Sequence, residues 1–101
     1  MIPLLEEKRE EIAAICRKYG VTRLEVFGSA ANGRFDPARS DVDLLYVFAP
    51  RDFGYAAAFF GLEAELEALL GRKVDLVAAD FIRNPFFRQS VDRSRQLVYA
   101  A

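Results

Sequence analysis

Two stretches decide the fold of this chain: Leu24-Glu25-Val26-Phe27-Gly28-Ser29 and, downstream of it, Ser40-Asp41-Val42-Asp43-Leu44. The first is a short apolar run that ends in Gly-Ser. A polar loop with Gly33, Asp36 and Pro37 follows, and then Asp41 and Asp43 stand at the head of a second apolar run, Leu44 to Phe48. Side chains at i and i+2 of a strand point to the same face, so these two carboxylates are expected side by side. Gly28 lacks a Cβ, which lets the backbone approach a ligand closely. Ser29 offers a hydroxyl and opens a short helix whose first amides are free to meet an anion. Carboxylates beside such a turn point to metal-assisted phosphate chemistry.

Outward from this centre the periodicity alternates between helix and strand. Residues 4–19 form an amphipathic helix with Leu5, Ile12, Ile15, Cys16 and Tyr19 on one stripe, closed by Gly20. Residues 23–27 alternate as a strand, 29–33 make a short helix, and 34–40 a loop. The second strand covers 42–48, and a long helix covers 55–70, with Phe59, Leu62, Leu66, Leu69 and Leu70 on its buried stripe and Gly71 at its end. Residues 73–77 are a third strand, Asp80 caps a short turn through Arg83, Pro85 begins a last helix, and 96–99 suit a final short strand. The order predicts an α/β (α+β) domain spanning 1–101: a small mixed sheet with helices packed on one face. The uncovered face is then the place for a site.

Asp75 is the third candidate. It interrupts an otherwise apolar strand, Val74-Asp75-Leu76-Val77, and a carboxylate there needs a reason, because burying an unpaired charge is costly. If this strand lies beside the second one, Asp75 joins Asp41 and Asp43 on the same face. Three carboxylates around two cations about 3.5–4 Å apart would serve in-line displacement at phosphorus.

Composition narrows the alternatives. The chain has no histidine and a single cysteine, Cys16, so a Ser-His-Asp triad, a Cys-His pair and a His- or Cys-based zinc site are all excluded within it. What remains is oxygen-ligand chemistry, which suits Mg²⁺ or Mn²⁺. A hydrophobic content of 52% with 29% charged residues fits a folded globular chain. The net charge of −1 gives no general attraction to nucleic acid or anionic membrane, so anion binding must be local. The apolar runs are too short to span a bilayer, and the start lacks the basic head of a signal peptide, so a cytoplasmic location is expected.

Taken together, Gly28-Ser29, Gly33, Ser40-Asp41-Val42-Asp43-Leu44 and Val74-Asp75-Leu76-Val77 resemble the minimal nucleotidyltransferase family, a branch of the polymerase-beta-like superfamily. The resemblance covers nearly the whole chain, and the joint pattern is far more specific than any one piece. It implies a polymerase-beta-like fold, with Gly28 and Ser29 on the nucleotide phosphates, Asp41 and Asp43 as metal ligands, and Asp75 completing the site as ligand or base. Ser40 is a third candidate for nucleotide contact, with bracing of the loop before Asp41 as its other role. The resemblance further implies Mg²⁺ (or Mn²⁺) with ATP as substrate, and the role of antitoxin to a HEPN-domain ribonuclease toxin that receives AMP on a hydroxyl. Transfer to a small molecule and a non-catalytic binding module are the alternatives. Members often carry arginines just after Gly-Ser, whereas this chain reads Gly28-Ser29-Ala30-Ala31-Asn32-Gly33; Arg34 and Arg39 are the nearest cations.

Overall fold

The computed structural model describes all of residues 1–101. Helices α1 (Pro3–Glu7) and α2 (Arg9–Tyr19) lead into strand β1 (Val21–Phe27) and the one-turn helix α3 (Ser29–Asn32). Strand β2 (Val42–Phe48), helix α4 (Tyr55–Leu70), strand β3 (Val74–Ala78), helix α5 (Pro85–Ser94) and strand β4 (Gln96–Ala100) complete the chain. The sheet order is β3-β2-β1-β4, mixed in direction: β1 runs antiparallel to β2 and to β4, and β2 runs parallel to β3.

Strand alternation divides the sheet into two faces. Leu24 and Val26 of β1, Val42, Leu44 and Tyr46 of β2, Val74 of β3 and Val98 of β4 share one core with Leu5, Ile12 and Cys16 and with Leu62, Leu66 and Leu70 of α4. This is the expected helical layer. Burial there pushes the Cys16 thiol up to about 12, so it stays protonated and unreactive. On the opposite face Phe27, Leu45 and Val91 form a second, smaller cluster. α5 therefore crosses the end of the face that the other helices leave free, and Asp43 and Asp75 lie on that same face by alternation.

The leading helix is not continuous. It steps at Lys8, where φ is −100° and ψ 12°. The first turn is anchored elsewhere: the Ile2 N–H donates to the Ala30 carbonyl at 2.8 Å, and Leu5 is fully buried in the core that holds Ala30 and Ala31. β1 begins earlier than its alternation suggests, because Val21 pairs with Phe48 and is itself buried. Asp80 lies in a single 3₁₀ turn, Ala79–Phe81, that has no side-chain cap. Of the phenylalanines near the C-terminus, Phe87 packs edge-on against Phe27 with ring centroids 6.0 Å apart, while Phe81 and Phe86 are exposed.

Candidate active site

The parallel pairing of β2 and β3 meets the condition that the sequence left open. Asp43 and Asp75 are register partners, Asp43↔Asp75, on adjacent strands. Strand spacing alone brings their backbones within about 5 Å on one face. Asp41 lies just before β2, half-buried, while Asp75 is exposed on the edge strand. Burial, then the charge of Asp75, then that of Asp41 push the Asp43 carboxyl up to about 6 from an ordinary 3.8. No three acidic or thiol side chains close into a ready-made cation cage. The three aspartates form an electrostatic cluster whose like charges act on Asp43.

On its other side Asp43 meets the Gly-Ser turn. Phe27 is its antiparallel partner, so Gly28 follows directly beside it. A Cβ on Gly28 would stand 2.7 Å from Asp43 Oδ2, and the residue has φ 69° and ψ −147°. That conformation is essentially restricted to glycine. Both the side chain and the backbone therefore require Gly28, which lets the carboxylate lie against the turn.

Gly28, rather than Ser29, is the N-cap of α3; its carbonyl accepts from the N–H groups of Ala31 and Asn32, both at 3.0 Å. Ser29 stands at the first helical position, half-buried. Ser40 serves the loop: its Oγ accepts from the Asp36 N–H at 3.0 Å, and its own N–H donates to the Asp36 carbonyl at 2.8 Å. Its side chain braces the approach to Asp41. Arg72 adds to the brace by donating to the Ser40 and Pro37 carbonyls at 3.4 and 3.3 Å.

Sequence reasoning passed over the contribution of α5. The Gly28 N–H donates to Ser94 Oγ at 2.9 Å, which ties the last turn of α5 to the Gly-Ser turn. Next to it, Arg95 donates to both oxygens of Glu25, from Nη2 at 2.7 Å and from Nε at 3.1 Å. Glu25 is only 5% exposed and is also bonded by Arg23; these partners, Arg95 foremost, hold its carboxyl below the usual range. The arginines at this end of the chain thus have separate roles: Arg95 anchors α5 to β1, and Arg93 faces elsewhere. A polar cleft of about 460 Å³ opens at the turn, lined by Gly28, Asn32, Arg34, Ser90, Arg93 and Ser94. Arg39 is not among its walls.

An oxygen-only donor set, an acidic cluster in which the Asp43 carboxyl is pushed up, and a glycine cradle beside it fit a divalent cation and a phosphate group. Comparison with known proteins bears on the phosphate part of this chemistry. Residues 9–98 match the model of the nucleotidyltransferase domain. The chain is 35% identical over 82 residues to the protein adenylyltransferase MntA of Thermococcus cleftensis, covering 81% of this chain and 77% of that protein. It is similar to a solved structure provisionally described as a minimal nucleotidyltransferase, with a TM-score of 0.74, 34% identity, and coverage of 91% of this chain and 90% of that one. The fold also matches a Shewanella oneidensis complex of a tri-AMPylated HEPN toxin with an MNT antitoxin, with a TM-score of 0.65, 18% identity, and coverage of 96% and 73%. The mixed sheet with its helical layer is accordingly the polymerase-beta-like arrangement of minimal nucleotidyltransferases. Because the matched segment takes in the Gly28 turn, all three aspartates and α5, the chain belongs to the nucleotidyltransferase domain family.

Proposed function

We propose that this chain transfers AMP from ATP to a hydroxyl of a partner protein, and that it acts in the cytoplasm as the antitoxin of a HEPN-domain toxin. The observation that carries the reading is the in-register pair Asp43↔Asp75 set against the Gly28 turn. The MntA-type relative and the AMPylated toxin complex support the choice of AMP and of a protein acceptor. No helix of the chain is long and apolar enough to cross a membrane.

In the reaction the acceptor oxygen forms a bond to the α-phosphorus of ATP. The bond from that phosphorus to the bridging oxygen of pyrophosphate breaks, and pyrophosphate leaves with its electron pair. A divalent cation held by Asp41 and Asp43 would neutralise the phosphates and polarise the phosphorus under attack. Asp41 and Asp43 are the half-buried members and are the ligands proper. Asp75 is the exposed member at the sheet edge, where an acceptor hydroxyl reaches it, and it takes the hydroxyl proton. Gly28 and Ser29 border the phosphates; Ser40 keeps the Asp41 loop in place through its bonds to Asp36.

The test is label transfer. With Mg²⁺, label from α-phosphate-labelled ATP should move to a co-purified HEPN-domain partner, and label from γ-phosphate-labelled ATP should not. Asp41→Asn/Asp43→Asn should fold and abolish the transfer. Transfer of γ-label would make the chain a kinase. A double variant that neutralises the partner as well as wild type does, with no mass ever added to it, would identify a contact-only antitoxin.

A further inference from the structure

We infer that Arg34 and Arg93 form a two-armed clamp for the polyphosphate chain of a nucleoside triphosphate, in place of the arginines that the Gly-Ser segment of this chain lacks. The inference rests on the nucleotidyltransferase reading of the aspartate cluster and goes on to assign the other half of the site.

The geometry comes from two distant parts of the chain. Arg34 follows α3 and Arg93 lies in the last turn of α5, yet both line the one cleft that opens at Gly28. The other four lining residues are Gly28, Asn32, Ser90 and Ser94, so the walls are entirely polar. Such a cleft has no aromatic or apolar wall, and its two guanidinium groups suit an anion.

Neither guanidinium is spent on the protein. Glu25 and Asp92 are taken by Arg95, Glu25 also by Arg23, Glu11 by Lys8 and Glu65 by Lys18; no ion pair includes Arg34 or Arg93. Two unpaired cations that face one concavity beside an acidic cluster are a ready partner for a ligand that carries both phosphates and a metal. The Gly28 amide is already donated to Ser94 Oγ, so it is not available to a phosphate. Ser94 is a positioning residue here: it holds α5, and with it Arg93, against the turn. Side chains then add to what the turn offers, and a fork-shaped donor such as arginine suits a phosphate.

The inference makes selectivity depend on phosphate number. Equilibrium titration of the full chain with a base-labelled fluorescent ATP in Mg²⁺ reads it directly, with inorganic tripolyphosphate and AMP as competitors. Wild type should bind the ATP probe, lose it to tripolyphosphate, and hold it against AMP. Arg34→Gln and Arg93→Gln should each weaken ATP by about tenfold, the usual size for one charge-assisted hydrogen bond, and should weaken AMP by less than about twofold. The Arg34→Lys/Arg93→Lys protein should recover part of the loss. Both arginines are exposed, so the melting temperature should stay within about 2 °C of wild type. A double glutamine variant that binds ATP as tightly as wild type overturns the clamp and leaves the nucleotidyltransferase reading standing. Equal weakening of AMP and ATP also overturns it, since the arginines would then not count phosphates. If the wild-type chain shows no Mg²⁺-dependent ATP binding at all, the nucleotidyltransferase reading fails and the clamp fails with it.

Discussion

Asp43→Asn should make the metal-free protein more stable at alkaline pH. The folded state raises the Asp43 carboxyl to about 6 from 3.8, by burial and by the charges of Asp75 and Asp41. Between those two values the folded protein holds more protons than the unfolded chain, so stability falls as pH rises and the loss is complete above the folded value. At about 1.4 kcal/mol per pH unit the gap corresponds to about 3 kcal/mol. Asp43 is only half-buried, and water screens its neighbours, which reduces the expected penalty to about 1–2 kcal/mol. Asparagine keeps the shape and removes the charge. For a domain of this size 1 kcal/mol moves the melting temperature by about 4–8 °C. In chelator at pH 8 the variant should therefore melt about 5–10 °C above wild type, and at pH 4 the two should nearly coincide. Adding Mg²⁺ should stabilise wild type and do much less for the variant, so that the difference narrows or reverses. Thermal melts from pH 4 to 8, with and without Mg²⁺, test all of this. A variant that is no more stable than wild type at pH 8 in chelator would refute the claim that burial and the neighbouring charges penalise the Asp43 carboxylate.

Three further outcomes are expected from other parts of the fold. Gly28→Ala forces a Cβ to within 2.7 Å of Asp43 Oδ2 at a backbone conformation alien to alanine, and should cost about 2–4 kcal/mol by urea unfolding; an unchanged midpoint would mean that the turn relaxes freely. Arg95→Leu leaves the buried Glu25 carboxylate without its main partner and should cost about 3–5 kcal/mol at pH 7. Because the folded state lowers the Glu25 carboxyl, the wild-type benefit is present above the unfolded value and fades as pH falls through the folded one; a cost that is the same at pH 3 and pH 7 would show that packing, not charge, is lost. Gly61→Ala places a methyl 2.5 Å from the Tyr19 ring at the α2–α4 contact, and should cost about 1–3 kcal/mol in chemical denaturation; a stabilised variant would mean that Tyr19 has room to move aside.

The acidic half of the site was legible in the sequence because carboxylates inside apolar strands break a pattern, and the break itself is the signal. Asp75 is the best case: the alternation of Val74-Asp75-Leu76-Val77 assigned its face, and only the choice of neighbouring strand waited for the structure. The second half of the site gave no such signal. Ser94 is an ordinary polar residue on an amphipathic helix, and its role comes from one hydrogen bond across 66 positions of sequence. Arg93 and Arg95 sit in the same run of basic residues, yet one meets a buried glutamate and the other a cleft, a distinction made only by where α5 crosses the sheet. Ser40 could be read two ways because a loop brace and a ligand contact need the same hydroxyl. The step at Lys8 escaped notice because the stripe from Leu5 to Ile12 keeps helical spacing across it.

β1 occupies the middle of the sheet, and its two edges close over very different lengths of chain. On one side β2 follows after only the short α3 and a loop. On the other, Glu25 meets Arg95 across 70 positions. Loop closure grows costlier with length, and distant pairings slow folding. The aspartate-bearing strands are thus expected to assemble first, and the docking of α5 and β4 last, an order that vectorial synthesis on the ribosome reinforces. A nascent chain would display its carboxylates before Arg93 is in place, and nucleotide capture would report the final folding event. Refolding in the presence of Mg²⁺ and ATP reads this order: nucleotide should slow unfolding and leave the folding rate unchanged. Faster folding with ATP would place the α5–β4 half in the nucleus instead.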